Sequence, residues 1–237
     1  MYYKLKLSII IPAYNEQKYI KQILERVQDV NLDGIDKEII VIDDGSTDST
    51  VSILNEVQDI ILLRNERNIG KGASVRKGLQ QSSGDVILIQ DADLEYDPVE
   101  YPNLLRPILD GKVKVVYGSR FLNKDIRIFG SNRIILPFHF IGNKFNSLVT
   151  SLLYNINLTD METCYKVFRK DVLDKIKLRS RRFEFEPEIT SKILKRNYKI
   201  HEVSISYNPR NFEDGKKITW LDGVKAFYYL IKYRFFD

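Results

Sequence analysis

The chain has 237 residues, 43% of them hydrophobic and 29% charged, with 12 glycines and 7 prolines. That content suffices for a packed core and excludes a disordered or collagen-like chain. The formal net charge of +5 hides a division, because residues 1–118 carry 14 basic and 19 acidic side chains and residues 119–237 carry 23 and 13. An acidic half joined to a basic half points to different partners for the two. The single cysteine, Cys164, has no internal disulfide partner and reads as a small buried side chain. No run approaches the roughly 20 apolar residues of a spanning helix. The best candidate, residues 134–154, is interrupted by Pro137, His139, Asn143, Lys144 and Asn146. With no secretory leader ahead of the short apolar run at 7–11, the expectation is a cytoplasmic protein, free or peripheral to a membrane.

In chain order, residues 7–11, 38–42, 59–63 and 85–89 form nearly continuous apolar, β-branched runs, the pattern of buried parallel strands. Helical stretches at 16–28, 47–57 and 71–81 alternate with them. This is the spacing of βαβ units, so the predicted fold class is α/β: one mostly parallel central sheet flanked by helices. A further strand is predicted at 113–117, then a basic loop at 120–133 and an amphipathic segment at 134–154. Strands at 160–168 and 199–207 flank a helix at 187–196. The tail, 220–236, interleaves Trp220, Phe227, Tyr228, Tyr229 and Tyr233 with Lys225, Lys232 and Arg234. The predicted organisation is one domain over 1–219, with a ligand-binding half at 1–118 and a second half at 119–219, followed by an amphipathic tail at 220–237.

Ligands of such sheets bind at the carboxyl ends of the strands. Here three strands end in acidic or polar clusters: Pro12-Ala13-Tyr14-Asn15-Glu16, Asp43-Asp44-Gly45-Ser46 and Asp91-Ala92-Asp93-Leu94-Glu95. Unpaired carboxylates gathered in one crevice repel one another, and a divalent cation or ligand donor groups relieve that repulsion. On an extended chain residues i and i+2 face the same way, which directs Asp91 and Asp93 to one site. Hard oxygen ligands of this type suit Mg²⁺ or Mn²⁺, which complete their shells with substrate phosphates. Gly45 supplies backbone freedom, with Ser46 or Thr47 predicted to cap the next helix. The segment Asn68-Ile69-Gly70-Lys71-Gly72 reads either as a helix start or as a nucleotide-pocket loop. It lacks the P-loop spacing, and no GxGxxG follows the first strand, which argues against a nicotinamide enzyme.

Taken together, Pro12-Ala13-Tyr14-Asn15-Glu16, Asp43-Asp44-Gly45-Ser46-Thr47-Asp48, Asn68 to Gly72 and Asp91-Ala92-Asp93 resemble, in order and spacing, glycosyltransferase family 2. The segments Tyr117-Gly118-Ser119-Arg120-Phe121 and 160–168 resemble its polyprenyl-phosphate branch, the dolichyl-phosphate mannose and glucose synthases. The resemblance covers residues 5–220. It implies a GT-A fold binding a nucleotide-diphosphate sugar. Pro12, Tyr14, Glu16, Asp43 and Asp44 would lie at the nucleoside, with Gly70, Lys71, Asp91 and Ala92 beside them. Asp91, Asp93 and Glu95 would lie at the diphosphate and the metal, with Glu95 where the mannose synthases usually carry Gln.

Arg120 and Arg133 match positions that receive an acceptor phosphate. The residues themselves support that reading: a phosphate monoester is already anionic and needs cations more than a general base. Arg120, Lys124, Arg127 and Arg133 supply cations; the expected acceptor-phosphate set is Arg120, Arg133 and Arg210, and Arg210 also opens a segment at 210–217 that could close over the donor. The predicted catalytic set is therefore Asp93, Arg120, Arg133 and Asp160. If the acceptor is instead a saccharide hydroxyl, Asp160 or Glu162 is the candidate base. Many relatives in this branch carry C-terminal transmembrane helices that are not seen here, so the expectation is attachment to the cytoplasmic face of a membrane, directly or through a membrane-spanning partner protein. A nucleic-acid-binding module, suggested by the basic balance, does not explain acidic clusters at strand ends, and no nucleic acid is expected.

Overall fold

In the computed structural model, which describes residues 4–122, 137–210 and 220–236, the chain folds around one seven-stranded sheet. The strands are β1 (Lys6–Ala13), β2 (Asp36–Asp43), β3 (Ile61–Arg64), β4 (Val86–Ile89), β5 (Val115–Ser119), β6 (Lys166–Arg169) and β7 (Ile200–Ser204), in the order β3-β2-β1-β4-β6-β5-β7. The helices are α1 (Ile20–Asp29), α2 (Thr50–Glu56), α3 (Lys71–Gln81), α4 (Tyr101–Leu109), α5 (Pro137–Tyr154), α6 (Lys170–Leu173), α7 (Phe185–Lys195) and α8 (Trp220–Phe235).

β1 lies inside the sheet between β2 and β4, its aliphatic residues covered on both faces: Leu7, Ile9, Ile10 and Ile11 have no exposure. Burying each such side chain contributes roughly 1.5–3 kcal/mol. Parallel pairing of β1 with both β2 and β4 reverses the direction in which strands are added to the sheet, and this creates the switch point at which a ligand crevice opens. Helix α1 covers one face with Ile20, Ile23, Leu24 and Val27, spaced at the helical repeat. Helix α3 approaches β1 and β2 closely at Gly78. A Cβ there would stand 2.6 Å from Ile10 Cγ2 and 2.8 Å from Ile42 Cδ1.

The structure departs from the sequence reading at several places. β6 pairs antiparallel with both β4 and β5 and begins only at Lys166, so residues 160–165 form a loop where a strand was expected. Helix α4, with Pro102 near its start and Pro107 inside it, was not anticipated. The capping expected of Ser46 or Thr47 does not occur. α2 starts at Thr50, and Ser46 instead receives the backbone N–H of Asn15 on its hydroxyl.

The predicted tail is helix α8, which packs against α5 and α7 and buries Ala226, Leu230 and Tyr233 along one stripe. Helix α5 is inverted relative to an ordinary surface helix. Asn146, Ser147 and Thr150 are buried, whereas Ile141, Phe145, Leu148 and Leu152 are 51–74% exposed. Among the described residues no helix is long and apolar enough to cross a membrane.

Candidate active site

A cavity of about 720 Å³ opens at the carboxyl ends of β1, β2 and β4 and extends to α5 and α8. Its polar wall gathers Glu16, Asp44, Lys71, Asp91, Asp93 and Arg210, and its far wall is apolar, built from Ile141, Phe145, Val224 and Phe227. Pro12, Tyr14, Gly70, Ala92, Glu95 and Arg120 also line it, so the structure gathers in one place most residues singled out from the sequence.

The chain after β4 does not continue extended. Asp93 accepts the backbone N–H of Glu95 (2.9 Å), an Asx turn that folds residues 91–96 back and still leaves both aspartates on the cavity wall. The two carboxylates have different partners. Asp91 accepts from Lys71 Nζ at 2.8 Å. Burial works to raise its pKa, but the charge of Lys71 and hydrogen bonds from Lys71 and Cys164 hold it below the usual carboxylate range. Asp93 pairs with Arg210, yet burial, followed by the charges of Glu95 and Asp91, pushes its pKa up to about 8. Arg210 also donates to Glu16 (3.0 Å), and its backbone N–H reaches Glu95 (2.9 Å). The Glu95 carboxylate further accepts from the Tyr207 hydroxyl at 2.9 Å. One guanidinium thus serves three acidic side chains, and negative charge remains in excess at Asp93.

Asp43 and Asp44 separate, as neighbours at a strand end must. Asp43 turns away from the cavity and is fully buried, accepting the Ser46 backbone N–H at 3.3 Å with Arg64 at 4.0 Å. Asp44 lines the cavity and accepts from the backbone of Ile69 (3.1 Å) and Gly70 (2.8 Å), and from Asn65 (2.8 Å). Asp44 thereby fixes the loop leading into α3. Gly70 sits in the left-handed region at φ +99°, with Arg181 O only 2.3 Å from where a Cβ would stand. Segment 68–72 is therefore both a helix start and a cavity wall.

The acceptor-side residues are arranged differently from the sequence reading. Arg120 forms a two-pronged pair with Asp160, Nε to Oδ2 and Nη2 to Oδ1 each at 2.7 Å, and stacks near Tyr207 at 5.1 Å. Asp160 has no exposure and does not line the cavity. A carboxylate held by a guanidinium on both oxygens is poorly placed to take a proton. Glu162 is the carboxylate of this loop that reaches the cavity, and burial together with neighbouring Glu186 pushes its pKa up to about 7. Arg133, Lys124, Arg127 and most of the expected closing loop at 210–217 lie outside the described residues; of that loop, only Arg210 is placed.

Among the polar wall residues that sequence reasoning missed are Asn146, Arg182 and Glu186. For Glu186 a signal existed, since Glu184, Glu186 and Glu188 alternate at the start of α7, and two of the three are buried. Glu188 is structural: it accepts the backbone N–H groups of Arg179 and Ser180 and pairs with Lys192. Glu186 instead faces Lys71 at 3.1 Å.

A mostly parallel sheet with paired aspartates after the strand at its switch point is the arrangement of GT-A glycosyltransferases, and solved structures of that fold superpose on the chain. The glucosyl-3-phosphoglycerate synthase of Mycobacterium tuberculosis, crystallised with Mn²⁺, uridine diphosphate and phosphoglyceric acid, aligns with a TM-score of 0.74 at 17% identity over 98% of this chain and 80% of that one. The model of Glycosyl transferase family 2 matches residues 8–177, and the chain belongs to that family.

Among curated relatives, a UDP-N-acetylglucosamine–dolichyl-phosphate N-acetylglucosaminyltransferase from Methanococcus voltae is 28% identical, covering 95% of this chain and 94% of its own length. A dolichol-phosphate mannosyltransferase from Pyrococcus furiosus is 28% identical over 95% of the chain, and an undecaprenyl-phosphate 4-deoxy-4-formamido-L-arabinose transferase from Proteus mirabilis is 26% identical over 89%. The chain spans 62% of the length of each of these last two.

Proposed function

We propose that this glycosyltransferase moves a hexose from a nucleotide-diphosphate sugar to a polyprenyl phosphate at a membrane surface, with inversion at the anomeric carbon. The observation that carries the reading is the continuity of one cavity from the acidic end of β4 to an apolar wall on α5 and α8, whose outward faces are themselves apolar. An anionic headgroup and an isoprenoid chain need these two environments side by side. The names of the three relatives, each containing a polyprenyl phosphate, support the acceptor class.

The donor set fits a divalent cation. Carboxylates are hard ligands, and the excess of negative charge at Asp93 is relieved by a cation. Mg²⁺ and Mn²⁺ are ordinarily held by one or two carboxylates plus substrate phosphates rather than by a complete protein cage. Asp91 and Asp93 would hold the ion, with Glu95 occupied by Tyr207 and Arg210. When bound, it neutralises the departing nucleoside diphosphate.

The residues of the chain divide the remaining work. Pro12, Tyr14 and Asp44 flank the nucleoside position at the ends of β1 and β2. Lys71 keeps Asp91 ionised and in place. Arg210, exchanged from the carboxylates, is the described cation best placed to meet the acceptor phosphate, and Arg120 supports that wall through Asp160 and Tyr207. A phosphate oxygen attacking in line with the leaving diphosphate needs no covalent enzyme intermediate, and a single displacement inverts the anomeric centre.

The outward faces of α5 and α8 support peripheral attachment. Leu148, Leu152, Val224 and Tyr228 stand 56–74% exposed beside the apolar mouth of the cavity, a pattern that suits burial in a lipid headgroup layer. The test is a panel of UDP- and GDP-sugars with Mg²⁺ or Mn²⁺, read by nucleoside diphosphate release with and without a short polyprenyl phosphate. Release that depends on the lipid supports the reading, and lipid-independent release stimulated by a saccharide contradicts it.

A further inference from the structure

The wall formed by α5 and α7 carries two buried acceptor oxygens that no group among the described residues satisfies. Glu186 is 5% exposed and Asn146 2%, both line the cavity, and neither Glu186 Oε2 nor Asn146 Oδ1 has a hydrogen-bond partner among the described residues. An unsatisfied buried acceptor costs about 1–3 kcal/mol, so two in one wall mark a place that a ligand with donor groups completes. The orientation of the Asn146 amide is fixed by its surroundings. Its Nδ2 donates to Glu162 Oε1 and to the carbonyl of Gly223, each at 3.2 Å, and the flipped amide would set oxygen against both acceptors. Oδ1 is therefore held as an acceptor. Glu186 is likewise tethered on one oxygen, with Lys71 Nζ 3.1 Å from Oε1, which leaves Oε2 for another donor.

The same lysine ties this wall to the diphosphate position, since Lys71 Nζ lies 2.8 Å from Asp91 Oδ1. A donor whose nucleoside lies over β1 and β2, with its diphosphate at Asp91 and Asp93, must place its third part beyond Asp91. Lys71 bridges Asp91 and Glu186, so the Glu186 wall adjoins the diphosphate position. An uncharged ring bearing several hydroxyl donors is the chemistry that suits two fixed acceptors.

Resting on the proposed donor class, we infer that Glu186 and Asn146 form the subsite that grips the hydroxyl groups of the donor sugar. Lys71 and Glu162 act there as positioning residues. The subsite deepens the reading above by assigning sugar recognition to two side chains on the acceptor half of the chain, outside the strand-end motifs.

The experiment measures equilibrium binding of paired probes, UDP against UDP-glucose and UDP-N-acetylglucosamine and GDP against GDP-mannose, in Mg²⁺, to the wild type, Glu186→Gln and Asn146→Leu. With the pair that the wild type binds best, each substitution is expected to weaken the nucleotide sugar about 10- to 100-fold, as for loss of a hydrogen bond to a charged or buried group, and to leave the nucleoside diphosphate within about threefold. Equal weakening of both probes, or of neither, overturns the inference. Because either variant could fail to fold, the wild type is also titrated with deoxy versions of the sugar. At least one missing hydroxyl must weaken binding about tenfold, and no effect at any ring position overturns the inference. Failure of the wild type to bind any nucleoside diphosphate would sink the donor class itself, a result distinct from either outcome.

Discussion

Arg210→Gln perturbs the charge balance of the cavity at its centre. The guanidinium serves Glu16, Asp93 and Glu95, and the four side chains are only 8–13% exposed. Removing one partner of a buried ion pair destabilises by about 3–5 kcal/mol. The residual exposure of this cluster puts the expectation near the lower end, about 3 kcal/mol. At about 2–4 °C per kcal/mol for a domain of this size, the melting temperature in EDTA should fall by roughly 6–12 °C. A divalent ion bound by Asp91 and Asp93 has to displace Arg210 in the wild type and has nothing to displace in the variant. Mg²⁺ at about a hundredfold excess over its dissociation constant contributes about 2.7 kcal/mol, so it should raise the melting temperature of the variant more than that of the wild type. Thermal unfolding of both proteins in EDTA and in Mg²⁺ decides this. A variant within about 2 °C of the wild type in EDTA, or an equal metal response in the two, would refute the reasoning.

Glu162→Gln tests the burial of that carboxylate. An acid whose folded pKa is raised from 4.5 to about 7 binds more protons folded than unfolded between those values, so wild-type stability falls as pH rises through that window. The variant should gain on the wild type from pH 5 to pH 8, by at most about 3 kcal/mol, in denaturant titrations at the two pH values; a constant difference contradicts the assignment. Leu148→Glu and Leu152→Glu, at positions 57% and 74% exposed, should leave folding intact and reduce co-sedimentation with anionic lipid vesicles roughly tenfold each. Unchanged sedimentation would exclude α5 from the lipid contact. Gly78→Ala places a methyl group within 2.8 Å of Ile10 and Ile42, so overpacking should outweigh the gain in helix propensity and destabilise by about 1–2 kcal/mol in urea unfolding. A stabilised variant would mean that α3 can lift from the sheet at little cost.

The first half of the chain was legible because its strands are buried on both faces. Runs such as Ile9-Ile10-Ile11 and Ile39-Ile40-Val41-Ile42 have no polar alternation to confuse, and these two end on a proline and an aspartate. The choice between Asp43 and Asp44 was not legible, since period-two geometry says only that one of them faces the cavity. β6 was misplaced because Met161 and Tyr165 are as buried as strand residues while sitting in a loop. That loop is held by Lys166, whose ammonium donates to the carbonyls of Met161 and Thr163 from inside the core. Pro102 and Pro107 masked α4 by breaking the helical pattern.

At the site, the aspartates after β4 announced themselves through clustering, but pairings between distant residues did not. Arg120 with Asp160 joins positions 40 residues apart and converts two expected reactive groups into a structural pair. Arg210 with Asp93 joins positions 117 apart. The inverted face of α5 was ambiguous for the same reason, because a helix that buries Asn146 and exposes Leu152 has the composition of an ordinary amphipathic segment.

The central claim is sugar transfer to a lipid phosphate with inversion, and it is tested most directly by the product. The wild type and Asp93→Asn, incubated with the preferred nucleotide sugar, Mg²⁺ and a short polyprenyl phosphate, are extracted into organic solvent, and the anomeric configuration of the glycolipid is read by NMR. The account predicts a glycosyl phosphate lipid of configuration opposite to that of the donor, formed by the wild type and lost in Asp93→Asn. A product of retained configuration, undiminished synthesis by the variant, or sugar found only on a saccharide hydroxyl would contradict it.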